Sequence, residues 1–187
     1  MALPPDRCPR CAFKAPCLCG SLPRIVTRLR IDIVRHAAEQ WKTTSSARWA
    51  ALALPGARVF DYGAVDRPFD ESSLGETDGA WLLFPGPHPT PLPARPPRRL
   101  IVPDGTWQQA RRMVSRLASL RELPRLTLLP DPRPRLRKPF RADGRSTIEA
   151  IAAALQAFGE PGPAATLRGV HEAAVGLIEE RRGYPIG

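Results

Sequence analysis

The stretch Ile101-Val102-Pro103-Asp104-Gly105-Thr106-Trp107-Gln108-Gln109-Ala110-Arg111-Arg112 reads as a strand end, a sharp turn and the opening of a helix. Asp104 and Gly105 favour the turn. Thr106 and Gln109 have capping-box spacing, in which the hydroxyl accepts from an orphaned amide while the longer side chain reaches back. Outward from this unit, short apolar runs bounded by turn residues recur at Leu29–Val34, Arg58–Tyr62, Trp81–Phe84, Leu100–Val102 and Leu126–Leu129, which predicts five strands. Helical patterns over Thr44–Leu54, Thr106–Leu120, Ser146–Phe158 and Ala164–Arg181 alternate with several of them. Strands alternating with helices predict an α/β fold with a mostly parallel sheet.

The chain of 187 residues, 43% hydrophobic, is long enough for one sizeable core. Residues 1–22 hold every cysteine with little periodic hydrophobicity, so they read as a small knuckle ahead of a main domain over residues 23–187. Lys and Arg number 28 against 18 Asp and Glu, a net charge of +10 that favours a polyanionic partner such as RNA or DNA. Only Lys14, Lys42 and Lys138 are lysine, and codon bias accounts for that skew without producing the excess of positive charge. The start, MALPPDRCPR, lacks a signal-peptide core, and no stretch approaches the roughly 20 apolar residues of a membrane span. The expectation is a cytoplasmic protein with no membrane contact.

Cys8-x2-Cys11-x5-Cys17-x-Cys19 places four thiols within twelve residues. Four thiolates at this spacing can close a tetrahedral zinc site on a segment too small for its own core. Cys17 and Cys19 are poorly placed to pair with each other, and the alternative is a set of reduced thiols.

Three loops should meet beyond the carboxyl ends of the strands, where open α/β sheets bind ligands. The first follows Phe84-Pro85-Gly86 and runs through a proline-rich stretch, and the second is Asp104–Trp107. The third is Leu136-Arg137-Lys138, leading through a basic segment to Ser146 and Thr147 at a helix start suited to anions. Asp104 can bind a cationic amine or accept a proton, and Trp107 can offer an aromatic face to a base or a sulfonium. The plainer alternatives are a helix-capping Asp and a core Trp. A fourth segment, Arg35-His36-Ala37-Ala38-Glu39 through Lys42, Ser45, Ser46 and Arg48, follows another strand end. There His36 and Glu39 can face the same cleft, although a lone histidine is more often a hydrogen-bonded structural residue.

Taken in this order, the four signals resemble the DTW-domain family, the tRNA-uridine aminocarboxypropyltransferases, across nearly the whole chain. The family's cysteine cluster matches Cys8, Cys11, Cys17 and Cys19. Its His-Pro-x-Glu and Thr-Asn-Thr-x-Arg segments match His36, Glu39, Thr44, Ser45, Ser46 and Arg48, with Ala37 in place of proline and Ser45 in place of asparagine. The name-giving Asp-x-Thr-Trp is intact as Asp104, Thr106 and Trp107, and Ser146-Thr147-Ile148-Glu149-Ala150 matches Ser-Thr-x-Glu-Ala.

The resemblance implies a relation to the SPOUT methyltransferases, with a C-terminal trefoil knot and a bent S-adenosylmethionine among the knot loops. The cofactor, consumed as a substrate, would be walled by Phe84, Pro85, Gly86, Asp104, Gly105, Thr106, Trp107, Leu136, Arg137, Ser146 and Thr147. Asp104, Thr106 and Trp107 would be catalytic. Asp104 would take the proton of uridine N3 or hold the substrate ammonium, with Arg137 or a neighbour on its carboxylate. His36, Glu39, Lys42, Arg48, Arg111, Arg112, Arg135 and Lys138 would position tRNA. The implied product is a uridine carrying a 3-amino-3-carboxypropyl group. The rivals are an S-adenosylmethionine-dependent RNA methyltransferase of the same fold and a zinc-knuckle RNA-binding protein without catalysis. The oligomeric state stays open.

Overall fold

The computed structural model describes residues 3–86, 91–128 and 145–181. Strands β1 (Arg30–His36), β2 (Arg58–Tyr62), β3 (Ala80–Leu82) and β4 (Arg99–Asp104) form a parallel sheet in the order β2-β1-β4-β3. The central strands β1 and β4 are buried on both faces, so β4 reads as the continuous apolar run Leu100–Pro103, whereas β1 carries Asp32 among its buried apolar residues.

The helices are α1 (Ser46–Ala53), α2 (Trp107–Arg116), α3 (Ala118–Arg121), α4 (Thr147–Ala157) and α5 (Pro161–Arg181), joined by three short 3-10 turns. They cover the two faces of the sheet separately. Ile31, Ile33, Leu100 and Val102 point into a core shared with Trp49 of α1, Ile148 and Leu155 of α4 and Leu167 of α5. Val34, Ile101 and Leu82, on the other face, meet Met113 and Val114 of α2 and Leu120 of α3. The strict alternation along each strand thus produces a three-layer sandwich.

The cysteine segment also enters this packing. Cys11, Phe13 and Leu18 are buried in the same core as Trp49, and the Phe13 and Trp49 rings lie 5.8 Å apart.

Three expectations about elements need correction. The single helix expected over Thr106–Leu120 breaks at Leu117, whose backbone is extended (φ −83, ψ 116). The break is tolerated because the Glu71 carboxylate accepts from Ser119 N at 2.7 Å, satisfying an amide the helix no longer serves, while Leu117 and Leu120 both stay buried. Of the strand expected at Leu126–Leu129, the described residues show one parallel bridge, Leu82 to Arg125, with Leu82 N donating to Pro124 O and Leu126 N to Leu82 O. Among the described residues the ladder goes no further, because Phe84 N, the next amide to face this edge, turns back to Leu82 O at 3.0 Å. Finally, α5 starts at Pro161 rather than Ala164, as suits a residue with fixed φ and no amide to satisfy in the first turn. The segment 129–144, where the expected knot loop and Leu136, Arg137, Arg135 and Lys138 fall, lies outside the described residues.

At the amino ends of the strands, the fully buried Asp32 carboxylate accepts from Arg58 Nε and Nη2 at 2.9 and 2.8 Å and from Arg99 Nε, with Arg30 Nε at 3.6 Å. Burial alone would raise this carboxyl, but the Arg58 hydrogen bonds and the three positive charges outweigh it and hold the group below its usual range. Arg99 in turn donates to Glu76 O, and Arg58 reaches Leu74 O, so the cluster fastens the β2–β3 crossover to the sheet. Asp32→Ala should therefore lower stability by about 3–5 kcal/mol, since it strands the buried Arg99 charge. Chemical denaturation checks this, and a loss below about 1 kcal/mol would mean that water already screens the cluster.

Candidate functional site

The chain leaves β1 through α1 toward β2 on one edge, and leaves β4 through α2 and α3 toward the Arg125 bridge on the other. The carboxyl ends of β1 and β4 are therefore adjacent strand ends from which the chain diverges in opposite directions, the crevice where open parallel sheets hold ligands. Register places Arg35 beside Asp104 across this crevice and beside Asp61 on the far side.

Asp104, the last residue of β4, is 7% exposed. Its Oδ1 accepts from Thr147 Oγ1 at 2.5 Å, whereas its buried Oδ2 has no hydrogen-bond partner among the described residues. Burial pushes the carboxyl up to about 6, the Thr147 hydrogen bond opposes this, and the nearby Glu39 charge adds to it, with Arg35 and Lys42 pulling the other way. A buried carboxylate oxygen without a donor is costly unless a ligand supplies one. Asp104 does not cap the helix, because Thr106 does, accepting from Gln109 N at 3.3 Å while Gln109 Oε1 takes Thr106 N at 2.7 Å.

Gly105 sits in a crowded place. A Cβ there would stand 3.1 Å from Gln109 Cβ and 3.3 Å from His36 Cβ, so a larger residue pushes the β1 and β4 ends apart by a few tenths of an ångström.

Trp107, in the first turn of α2, is 39% exposed and stacks on Phe84, with ring centroids 4.9 Å apart and planes 17° from parallel. It is thus not a core tryptophan: the pair forms a small aromatic platform, and Phe84 supports it from beneath. Gly86 N donates to Thr127 Oγ1 at 3.2 Å, which holds the loop after β3 in place, and Pro85 is exposed.

The amino end of α4 closes the other side. Ser146 caps it in a full capping box with Glu149, and Thr147 N donates to Ser46 Oγ at 3.1 Å. Thr147 thereby links Asp104 to the start of α1, where Ser45 is the cap. The three loops expected to converge do so as far as they are described, through the Phe84–Trp107 stack and the Thr147–Asp104 bond.

The segment after β1 divides its labour. His36 Nδ1 accepts from Ala38 N at 3.2 Å, capping the 3-10 turn Ala37–Glu39, and its ring meets the edge of Tyr62. Glu39 pairs with Lys42 at 2.6 Å and lies close enough to Asp104 to act on its charge. Arg48 donates to Gln40 O and, at 3.4 Å, to Arg10 O, so its guanidinium ties α1 to the cysteine segment. Arg111 and Arg112 are exposed on α2. Sequence reasoning missed Arg35 as a neighbour of Asp104 and the Ser46–Thr147 contact. Both depend on strand register and on two helix starts far apart in sequence.

The four cysteine sulfurs lie within 4.8 Å of one another, and no disulfide joins them. Cys8 Sγ and Cys19 Sγ are 3.7 Å apart, and a tetrahedral zinc with Zn–S bonds near 2.3 Å requires edges of about 3.8 Å. The backbone amides of Cys11 and Arg10 point at Cys8 Sγ and lower its thiol to about 6, while burial pushes Cys19 up to about 12. Amides aimed at a sulfur stabilise a thiolate, so the donor set fits a structural metal. Among the described residues, no helix is long and apolar enough to cross a membrane.

No curated protein and no solved structure matches the chain. The family model described as the DTW domain matches residues 5–178, a span that includes the cysteine cluster, the Asp104–Trp107 turn and the α4 start, and the chain belongs to that family.

Proposed function

We propose that this chain transfers the 3-amino-3-carboxypropyl group of S-adenosylmethionine to N3 of a tRNA uridine. Membership of the DTW domain family is consistent with tRNA modification. The observation that carries the finer reading is Asp104 Oδ2, buried at the crevice with no partner among the described residues and next to the partly exposed Trp107 platform.

Uridine N3 is a weakly acidic imide, so alkylation needs a proton acceptor held in line with the electrophilic carbon. Asp104, raised to about 6, is a carboxylate at neutral pH yet basic enough to share in proton removal. It takes the N3 proton as the N3–Cγ bond forms and the S–Cγ bond breaks, the bonding pair staying on sulfur, so that neutral methylthioadenosine leaves. Thr147 positions the carboxylate, and the partly exposed Trp107 ring, stacked on Phe84, suits a flat base or a sulfonium. Phe84, Pro85, Gly86, Gly105 and Ser146 complete the wall, with Leu136 and Arg137 assigned by family resemblance.

The same reading includes a SPOUT-type relation with a knotted C-terminal half. It also includes a zinc-holding segment over residues 1–22 and a catalytic unit over 23–187. tRNA is the partner, in the cytoplasm, where thiols stay reduced.

The test is incubation of bulk tRNA with the protein and labelled S-adenosylmethionine, then nucleoside mass spectrometry. A uridine heavier by one aminocarboxypropyl group is expected. A gain of one methyl group would instead make the chain a methyltransferase, and no labelling at all would leave RNA binding without catalysis.

A further inference from the structure

Besides the Asp104 crevice, the molecule has a cleft of about 500 Å³ where three segments distant in sequence meet: the cysteine segment, Thr43–Thr44 before α1, and the end of α5. Arg7, Lys14 and Arg181 supply its charge, and Thr43 and Thr44 line it with hydroxyls. Arg7 donates to Ala12 O at 3.1 Å, and Arg181 donates to Lys14 O and Pro16 O at 2.6 and 2.8 Å. These neutral carbonyls fix the two guanidinium groups without cancelling their charge. Among the described residues, the one carboxylate in ion-pair contact with the three cations is Asp6, 2.6 Å from Lys14, and both members of that pair are about half exposed. An exposed pair of this kind is weak and opens readily to a stronger anion.

We propose that this cleft binds the phosphodiester backbone of the RNA substrate, a step that rests on the functional reading above for the identity of the RNA. Its chemistry matches phosphate rather than base. The aromatic ring in it, Phe13, is 2% exposed and lies under the Arg181 guanidinium at 5.4 Å, so no ring face is left for a base to stack on. Cations and hydroxyl donors without a stacking surface or a base-reading edge grip backbone without reading sequence. Holding the guanidinium groups in advance also reduces the ordering lost on binding.

The position of the cleft supports the same occupant. Thr44 precedes the cap Ser45 and then Ser46, whose Oγ receives Thr147 N, and Thr147 in turn holds Asp104. The cleft and the crevice therefore flank one short segment, Thr43–Ser46. An RNA strand that delivers a base to Asp104 passes this segment, and a neighbouring phosphate falls to the three cations.

The experiment compares Lys14→Glu and Thr43→Glu with the wild type, using unfractionated tRNA as the probe. Affinity is read by fluorescence anisotropy over a salt series, with melting temperature and zinc content confirming the fold. Each variant should weaken binding about fivefold or more, and Lys14→Glu should flatten the slope of log affinity against log salt by about one. In turnover, KM for tRNA should rise with kcat unchanged. Folded variants with wild-type affinity and slope overturn the proposal, as does a wild type that binds no tRNA. A chain that binds tRNA in a Lys14-dependent way but transfers nothing keeps the cleft and sinks the catalytic reading. Normal transfer that is indifferent to Lys14→Glu and Thr43→Glu does the reverse.

Discussion

Asp104→Asn should cut transfer by about 10³ and yet make the ligand-free protein more stable at neutral pH. The two effects have one source. Oδ2 is buried without a donor among the described residues, so the negative charge is poorly solvated, and burial has raised the carboxyl from the ordinary 3.8 to about 6. The folded chain then keeps its proton over a pH range in which the unfolded chain has lost it. Stability from this group is complete below 3.8, declines as pH rises through about 6, and stays lower above that. A shift of about two units corresponds to roughly 3 kcal/mol, of which a neutral amide should recover about 1–3 kcal/mol at pH 7. Melting at pH 7 should rise by several degrees, and the gain should vanish near pH 4.

Activity should move the other way. Removing a general base costs about 10²–10⁴ in rate, so Asp104→Asn should fall by about 10³ in kcat/KM. For the wild type, kcat/KM should climb with pH along an acidic limb near 6, because only the carboxylate accepts the N3 proton. Thr147→Val separates this from a generic defect. The Thr147 hydroxyl holds the carboxyl down, so its loss should carry the limb to higher pH, and Thr147→Ser should restore it. An acidic limb that stays in place in Thr147→Val, or an Asp104→Asn variant that is both active and no more stable, would sink the assignment.

Much of the sheet was legible because the central strands bury their apolar residues, Leu100–Val102 as a run in β4 and Ile31, Ile33 and Val34 around Asp32 in β1. The helix starts at Thr106 and Ser146 were legible because capping is local chemistry, spanning three residues. Events decided across the fold were not. The helix break at Leu117 depends on Glu71, 48 residues away from Ser119, and the shortening of the last strand depends on Phe84 N turning back to Leu82 O. In the site, Asp104 and Trp107 could be named from the turn, but its composition favoured a capping aspartate and a packed tryptophan. Only burial of Oδ2 and exposure of the indole decide otherwise. His36 takes a second part that the sequence did not announce, capping the Ala37–Glu39 turn while its Cβ stays beside Gly105.

Removal of metal should cost the whole molecule its stability, not only the first twenty residues. Cys11 is fully buried, and Cys8, Cys17 and Cys19 pack against the core that contains Phe13, Leu18 and Trp49. Four thiolates within 4.8 Å repel one another without a cation, and protonating them leaves poorly solvated thiols against an apolar wall. If the segment opens, Phe13 and Leu18 leave the core, at about 2–3 kcal/mol each, and Trp49 of α1 loses its ring partner. Stripping with a strong chelator should therefore lower stability by about 5 kcal/mol and melting by more than about 10 °C, with one zinc released per chain in a colorimetric assay. Cys11→Ala should do the same. Transfer should fall as well, because α1 carries Ser46, which holds Thr147 against Asp104. Metal binding requires thiolates, so the holo form should melt earlier on acidification even where Asp104 protonation favours folding. If chelator-treated, zinc-free protein melts at the same temperature as the untreated chain, the cysteines are reduced thiols in a well-packed segment, and the apolar contacts of Phe13 and Leu18 hold it alone.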